Sequence, residues 1–169
     1  PESYEVTLDG KPYGKFATNV FSVYNLLPDT QYTVGAGGFA LTFRTRPETA
    51  SVSVKALGAK ADGKSDDTYF VQMAIDRCPE GGRVVFEEGE YLVRPVVLKS
   101  GITVELKKGA TLLGDICEEN YPYIPARVYK GGKEEILASW EGEPFDCHQS
   151  FVSAYRQKNI CVVGEGTIN

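Results

Sequence analysis

The sequence predicts an all-β chain with a single helix. Three observations carry this. Eighteen glycines and nine prolines cut the 169 residues into short segments. Between them run β-branched and aromatic residues of strand type. Only one stretch, 70–78, sets its apolar residues at helical spacing. At 42% apolar and 24% charged, the composition is that of a globular chain able to bury a core, not of a disordered one.

A polar stretch, Arg46-Pro47-Glu48-Thr49, reads as a linker and divides the chain into 1–46 and 47–169. Before it, alternation predicts strands at Tyr4–Leu8, 21–24, 32–34 and 41–44, with a turn at Asp9-Gly10. The segment LPDTQYTV (27–34) resembles the tyrosine corner of fibronectin type III domains, in which a Tyr hydroxyl ties back to upstream backbone. Any β-hairpin with a Pro-Asp turn is the alternative. Together with the YEVTLDGK opening and the FRT ending, the segment looks like the later strands of that sandwich. Such a domain usually runs to roughly 100 residues, so a partial module without its first two strands is expected. Its inner face is expected to carry Val6, Phe21, Val23 and Tyr32.

After the linker, 51–57 is expected as a strand, followed by the loop GAKADGKSDDT (58–68). Asp66 or Asp67 stands where a helix N-cap belongs, since a carboxylate there accepts orphan backbone N–H groups. Phe70, Val71, Ala74, Ile75 and Cys78 form one helical face, which Pro79 and Gly81-Gly82 end. From there short strands recur, at Arg83–Phe86, 91–93, 96–98, 102–106, 111–113, 151–154 and 160–163. Ile102, Val104 and Leu106 point one way while Thr103, Glu105 and Lys107 point the other. Short strands separated by glycine turns are expected of a parallel β-helix, whose coils bury their inward faces only by stacking on one another. One amphipathic helix ahead of the first coil would cover the open end.

A net charge of −5 argues against a nucleic-acid partner, because phosphate binding needs a basic surface. The apolar runs fall far short of the roughly 20 residues that a membrane span needs. Cys78, Cys117, Cys147 and Cys161 show no CxxC pair. With one histidine in the chain no metal site is expected, and the four thiols are expected in the core. Cysteine usage leaves the compartment open. Pro1 without a preceding Met suggests a processed or trimmed start.

The run GAKADGKSDDT, a helix containing Gln72 and Ala74-Ile75, and then CPEGGRVVFEEGEYLV is similar to the opening of many pectin-active β-helix enzymes, phage tailspikes and β-helix lyases. The continuation LKSGITVELKKGATLLGD (98–115) more narrowly resembles polygalacturonases of glycoside hydrolase family 28. SWEG (139–142) and VVGEGTIN (162–169) look like two further segments of bacterial members. Two departures stand out. Ser139 occupies a position where the family usually has Arg, and Asn169 one where it usually has Asp.

The resemblance implies a right-handed parallel β-helix and hydrolysis of α-1,4-galacturonosyl bonds in pectin with inversion. Inversion needs a protonated carboxyl and a second carboxylate roughly 6.5–9.5 Å away to activate water. The family's catalytic aspartates, Gly-His-Gly histidine and Arg-Ile-Lys segment follow the GEGTI motif. No catalytic residue is therefore expected in this chain, and further coils are expected beyond Asn169. No cofactor or metal is implied, and the partner is pectin or an oligogalacturonide. That substrate favours an extracellular or periplasmic setting.

Three features mimic the missing groups. Asp66-Asp67 is read as a cap and turn, His148 as structural or surface, and Arg156-Gln157-Lys158 as a solvated turn. The candidate substrate contacts are Trp140, whose indole face can stack on a sugar ring, and Glu141, which can accept hydroxyl hydrogen bonds. The alternative for Trp140 is a packing anchor in a long loop. Two other readings compete with the hydrolase. One is a non-catalytic carbohydrate-binding or assembly module of tailspike type, the other a pectate lyase-like β-helix, which would normally ask for calcium.

Overall fold

A computed structural model describes residues 3–169, which fall into two units divided between Thr49 and Ala50. The first unit is an antiparallel sheet of β1 (Tyr4–Leu8), β2 (Lys11–Phe16), β3 (Gln31–Ala36) and β4 (Phe39–Arg44), in the order β2-β1-β3-β4. Asp9 and Gly10, both at positive φ, close the first hairpin. β2 is absent from the sequence-based reading because Pro12 and Gly14 weaken a strand pattern; its place at the sheet edge is where a proline is tolerated.

Residues 21–24 do not form the expected strand. The Phe21 ring and the Tyr24 backbone are drawn to aromatic partners instead. Phe21 stacks on Phe16 with centroids 4.8 Å apart, and the Tyr24 amide donates to the Tyr13 hydroxyl at 2.9 Å. Val6 is buried, whereas Phe21, Val23 and Tyr32 are half-buried. The Leu27 amide donates to the Tyr32 hydroxyl at 2.9 Å.

The second unit opens with β5 (Ser51–Ser53), which gives way to a 3₁₀ turn at Lys55–Leu57 where a longer strand was expected. The Val54 carbonyl accepts the Leu57 and Ala59 amides, so the chain curls inward and buries Val54. Then come β6 (Asp62–Asp66), hidden in the sequence by its polar, glycine-containing composition, and helix α1 (Thr68–Arg77). The helix buries Val71, Ala74 and Ile75, with Cys78 just past its end.

Two coils follow and a third begins. The first is β7 (Arg83–Phe86), β8 (Gly89–Val93) and β9 (Val96–Val97). The second starts with β10 (Thr103–Leu106) and β11 (Ala110–Gly114). After an insertion, treated below, it resumes at Val152–Ser153, which pairs in parallel with β9. Cys161–Gly164 and Thr167–Ile168 then lie in parallel on β10 and β11. Each sheet thus takes one strand per coil. This is the parallel β-helix, with β5 and β6 as the leading strands of two of its sheets.

Register stacks like on like: Val52, Val84, Val104 and Val162 are consecutive rungs of one ladder. A Cβ at Gly164, where φ is +117°, would run into the Leu106 carbonyl, so the ladder needs glycine there. Helix α1 packs against β9, where a preceding strand would otherwise lie. Gln72 donates from Nε2 to the Val97 carbonyl at 3.0 Å and accepts the Val97 amide at Oε1 at 2.9 Å. One side-chain amide thereby stands in for the backbone of a missing strand, satisfying a sheet edge that would otherwise be open.

The expectation of four core thiols fails. Only Cys78 is buried; Cys117 and Cys161 are exposed, Cys147 is half-buried, and none of the four is in a disulfide. The last three lie on the insertion or the final rung, where few side chains cover them. Among the described residues no helix is long and apolar enough to cross a membrane.

Candidate functional site

Between β11 and the strand at Val152–Ser153 the chain leaves the coil. Asp115 anchors the departure: its Oδ1 accepts the Cys117 amide at 2.9 Å and its Oδ2 the Asn120 side chain at 2.5 Å. The insertion is a stem carrying two hairpins. The stem pairs β12 (Tyr123–Ile124) with a strand at Cys147–His148. The first hairpin is β13 (Arg127–Lys130) with β14 (Lys133–Ile136), and the second β15 (Ser139–Trp140) with β16 (Glu143–Pro144). The stem strand Cys147–His148 is β17, and the final three strands become β18, β19 and β20. Asp146 holds stem and hairpins together by accepting the amide of buried Ala126 at 2.7 Å.

The second hairpin turns through Glu141 and Gly142, at φ +49° and +90°. Two successive positive φ values are the signature of the tight turn that matches strand twist. The turn leaves Trp140 at its shoulder, 70% exposed, with Glu141 exposed at the tip. Tyr123, Tyr129 and Phe145 add exposed rings to the same insertion. An aromatic ring open to solvent loses burial in the free chain and gains it when a sugar face covers it.

The acid pair behaves differently from the expected cap. Asp67 makes no helix-capping bond; its buried carboxylate accepts the Lys60 and Ala61 amides, each at 2.8 Å. The helix start bends that side chain back onto the 58–61 loop, so the charge is satisfied by two fixed amides. Asp66 takes the part expected of a cap residue. It accepts the Thr68 amide at 3.0 Å and the Thr68 hydroxyl at 2.5 Å, while Arg94 lies 3.2 Å from its other oxygen. Burial pushes the Asp66 carboxyl up, but the Thr68 bonds and Arg94 outweigh it and hold it below its ordinary value. Asp62, bound by the Ser65 and Lys64 amides and the Ser65 hydroxyl, is pulled down to about 2.

His148 sits on the stem, with Nδ1 2.7 Å from the Tyr121 carbonyl and Nε2 3.1 Å from Glu118. In the 156–158 turn, Gln157 Oε1 accepts both the Ser100 amide and its hydroxyl, pinning the turn to the preceding coil. Arg156 reaches Glu135 at 2.6 Å. The sequence-based reading had no place for that contact or for the β13–β14 hairpin. The Gly131-Gly132 pair between strand-forming residues was the signal available for the hairpin. Trp140 and Glu141 are thus together, while Asp66-Asp67, His148 and 156–158 are each committed to other partners. Among the described residues no group of three or more His, Cys, Asp or Glu side chains could hold a metal ion.

Residues 51–137 match the family described as "Rhamnogalacturonase A/epimerase, pectate lyase-like". Over 118 residues, 70% of the chain, the sequence is 35% identical to an exo-poly-alpha-D-galacturonosidase of Dickeya chrysanthemi. It is 44% identical over 81 residues, 46% of the chain, to the plasmin and fibronectin-binding protein A of Streptococcus pneumoniae. The chain spans 19% and 11% of the lengths of those two relatives. A family 28 exopolygalacturonase structure from Yersinia enterocolitica aligns with 99% of the chain at a TM-score of 0.68 and 25% identity, and the chain covers 36% of it.

Proposed function

The chain belongs to the rhamnogalacturonase A/epimerase, pectate lyase-like family, and from that premise we propose that it supplies the first coils and a substrate-facing insertion of a polygalacturonase-like hydrolase. The reaction is hydrolysis of α-1,4-galacturonosyl bonds in pectin with inversion. One observation carries the reading. The likeness to the Yersinia exopolygalacturonase runs through 99% of the chain, front unit and insertion included, and not through the common β-helix opening alone. The acid and base lie on further coils stacked on β19 and β20. Support for such coils is the length of the relatives, since the chain covers 36% of the Yersinia exopolygalacturonase and 19% of the Dickeya enzyme.

Within this reading Trp140 stacks on a galacturonate ring and Glu141 accepts from its hydroxyls. The front unit is read as a partial fibronectin type III-like sandwich, supported by the Tyr32 hydroxyl bond back to Leu27. The test uses a protein carrying these residues together with later coils. It should release the β-anomer first from polygalacturonate, followed by proton NMR. Trp140→Ala should lower kcat/KM about tenfold, the loss of a stacked ring worth on the order of 1–2 kcal/mol, with the melting temperature unchanged. Initial release of the α-anomer, or no turnover, would sink the proposal.

The Streptococcus relative, named for binding plasmin and fibronectin, favours a second reading, a binding module. Absence of turnover together with retained polysaccharide binding would select it.

A further inference from the structure

The charges of the β13–β14 hairpin are unevenly disposed. Its carboxylates are already answered. Glu134 receives Arg127 Nη1 at 2.8 Å and the Tyr129 hydroxyl at 3.2 Å. Glu135, whose side chain is only 12% exposed, receives Arg156 Nη2 at 2.6 Å and the Tyr155 hydroxyl. What remains is positive. Lys130 and Lys133 face each other directly across the ladder on either side of Gly131-Gly132, both exposed. Among the described residues no ion pair reaches either ammonium.

Like charges directly opposite one another oppose strand pairing. Here they sit on the closing pair of a hairpin with four residues in each strand. Strand alternation brings Lys130, Lys133 and Glu135 to the same face. Glu135 is the residue that Arg156 grips, and Arg156, 66% exposed, lies 5.5 Å from the centre of the Tyr155 ring. Lys130, Lys133 and Arg156 therefore meet one carboxylate on this face, on a chain whose net charge is −5.

We infer that this face is a subsite for the carboxylates of an acidic polysaccharide, a polyuronate. The inference rests on the pectin-directed reading above. A carboxylate lodged between Lys130 and Lys133 converts the repulsive pair into a bridge. Arg156 has five N–H donors and spends part of them on Glu135, leaving others for a neighbouring carboxylate. A polymer bearing one carboxylate per sugar matches cations repeated along one face, and a neutral ester does not.

The test compares the chain with a K130Q/K133Q variant and a charge-retaining K130R/K133R variant. Binding is measured to polygalacturonate and to its fully methyl-esterified form, at low and high salt, alongside thermal melting. K130Q/K133Q should bind polygalacturonate about tenfold more weakly at low salt, with the difference fading at high salt. K130R/K133R should bind as wild type, the ester should not distinguish the three proteins, and K130Q/K133Q should melt no lower because a repulsion has been removed. Equal binding of polygalacturonate by wild type and K130Q/K133Q overturns the subsite and leaves the pectin reading standing. An equal loss toward the ester, or a lowered melting temperature, overturns it as well by assigning the lysines a structural role. A wild type that binds neither polymer overturns the pectin reading and the subsite with it.

Discussion

The coil stack and the insertion share one stretch of chain and are built on opposite terms. In the coils the strands are parallel and in register, and each ladder repeats one kind of side chain inward, so that Val84 and Val104 are buried one above the other. In the insertion the strands are antiparallel and two to four residues long, and Ala126 is its one buried residue. Coils are held by burial, which is non-directional and grows with every added rung. The insertion is held by a few directed bonds, from Asp115, Asp146 and Glu135. The difference teaches where change is tolerated. A substitution in the coils should be read out as stability, and one on the face of the insertion as binding.

The largest effect that sharpens this comparison is expected at Asp67. Replacing it by Ala strips the 58–61 loop of two charge-assisted bonds to a buried carboxylate, and such bonds contribute roughly 1.5–3 kcal/mol each. A loss of about 3 kcal/mol in unfolding free energy is expected, against about 1 kcal/mol or less for Asp66→Ala, whose site is half open to water. Denaturant midpoints at constant slope measure both. Equal losses would mean that the two aspartates share one capping role after all.

Gln72 comes next, because its amide alone closes the edge above Val97. Gln72→Ala should cost about 1–2 kcal/mol, and it should raise amide exchange at Val97 selectively. Unchanged protection at Val97 would show that the edge is covered by something other than this side chain.

The smallest effect is a pH dependence. Asp62 is held at about 2 in the folded chain, against an ordinary value of 3.8. A depressed carboxyl contributes stability that is fully present above its unfolded value and is lost as pH falls through the folded one. The wild type should therefore lose this contribution between pH 3.8 and about 2, and Asp62→Asn should flatten the acid limb there. An identical acid limb in the variant would count against the Ser65 and Lys64 bonds as the cause.

Much of the coil stack was legible from sequence because its signal is periodic. Ile102, Val104 and Leu106 alternate with polar residues, and the structure buries those three and leaves Thr103 and Glu105 half-covered. Val71, Ala74 and Ile75 likewise mark the helix face. In the insertion only the SWEG motif was read, since strands of two to four residues carry too little periodicity and the Gly131-Gly132 turn signal stands without it. Residues 21–24 misled for a related reason: β-branched and aromatic residues suit a strand, and Phe21 spends that character on stacking with Phe16.

By itself the sequence determined the all-β class, the coil order, the single helix and the family likeness, because local propensity and inward alternation act over a few residues and need no distant partner. Tertiary structure alone decided which polar side chain meets which backbone. Asp67 turns to the 58–61 loop and not to the helix, Gln72 takes the place of a strand beside Val97, 25 residues away, and Arg156 offsets the charge of Glu135 while leaving Lys130 and Lys133 facing each other. Such pairings depend on direction and distance after the chain has coiled, and a hydrogen bond or ion pair at 3 Å leaves no periodic trace in the order of residues.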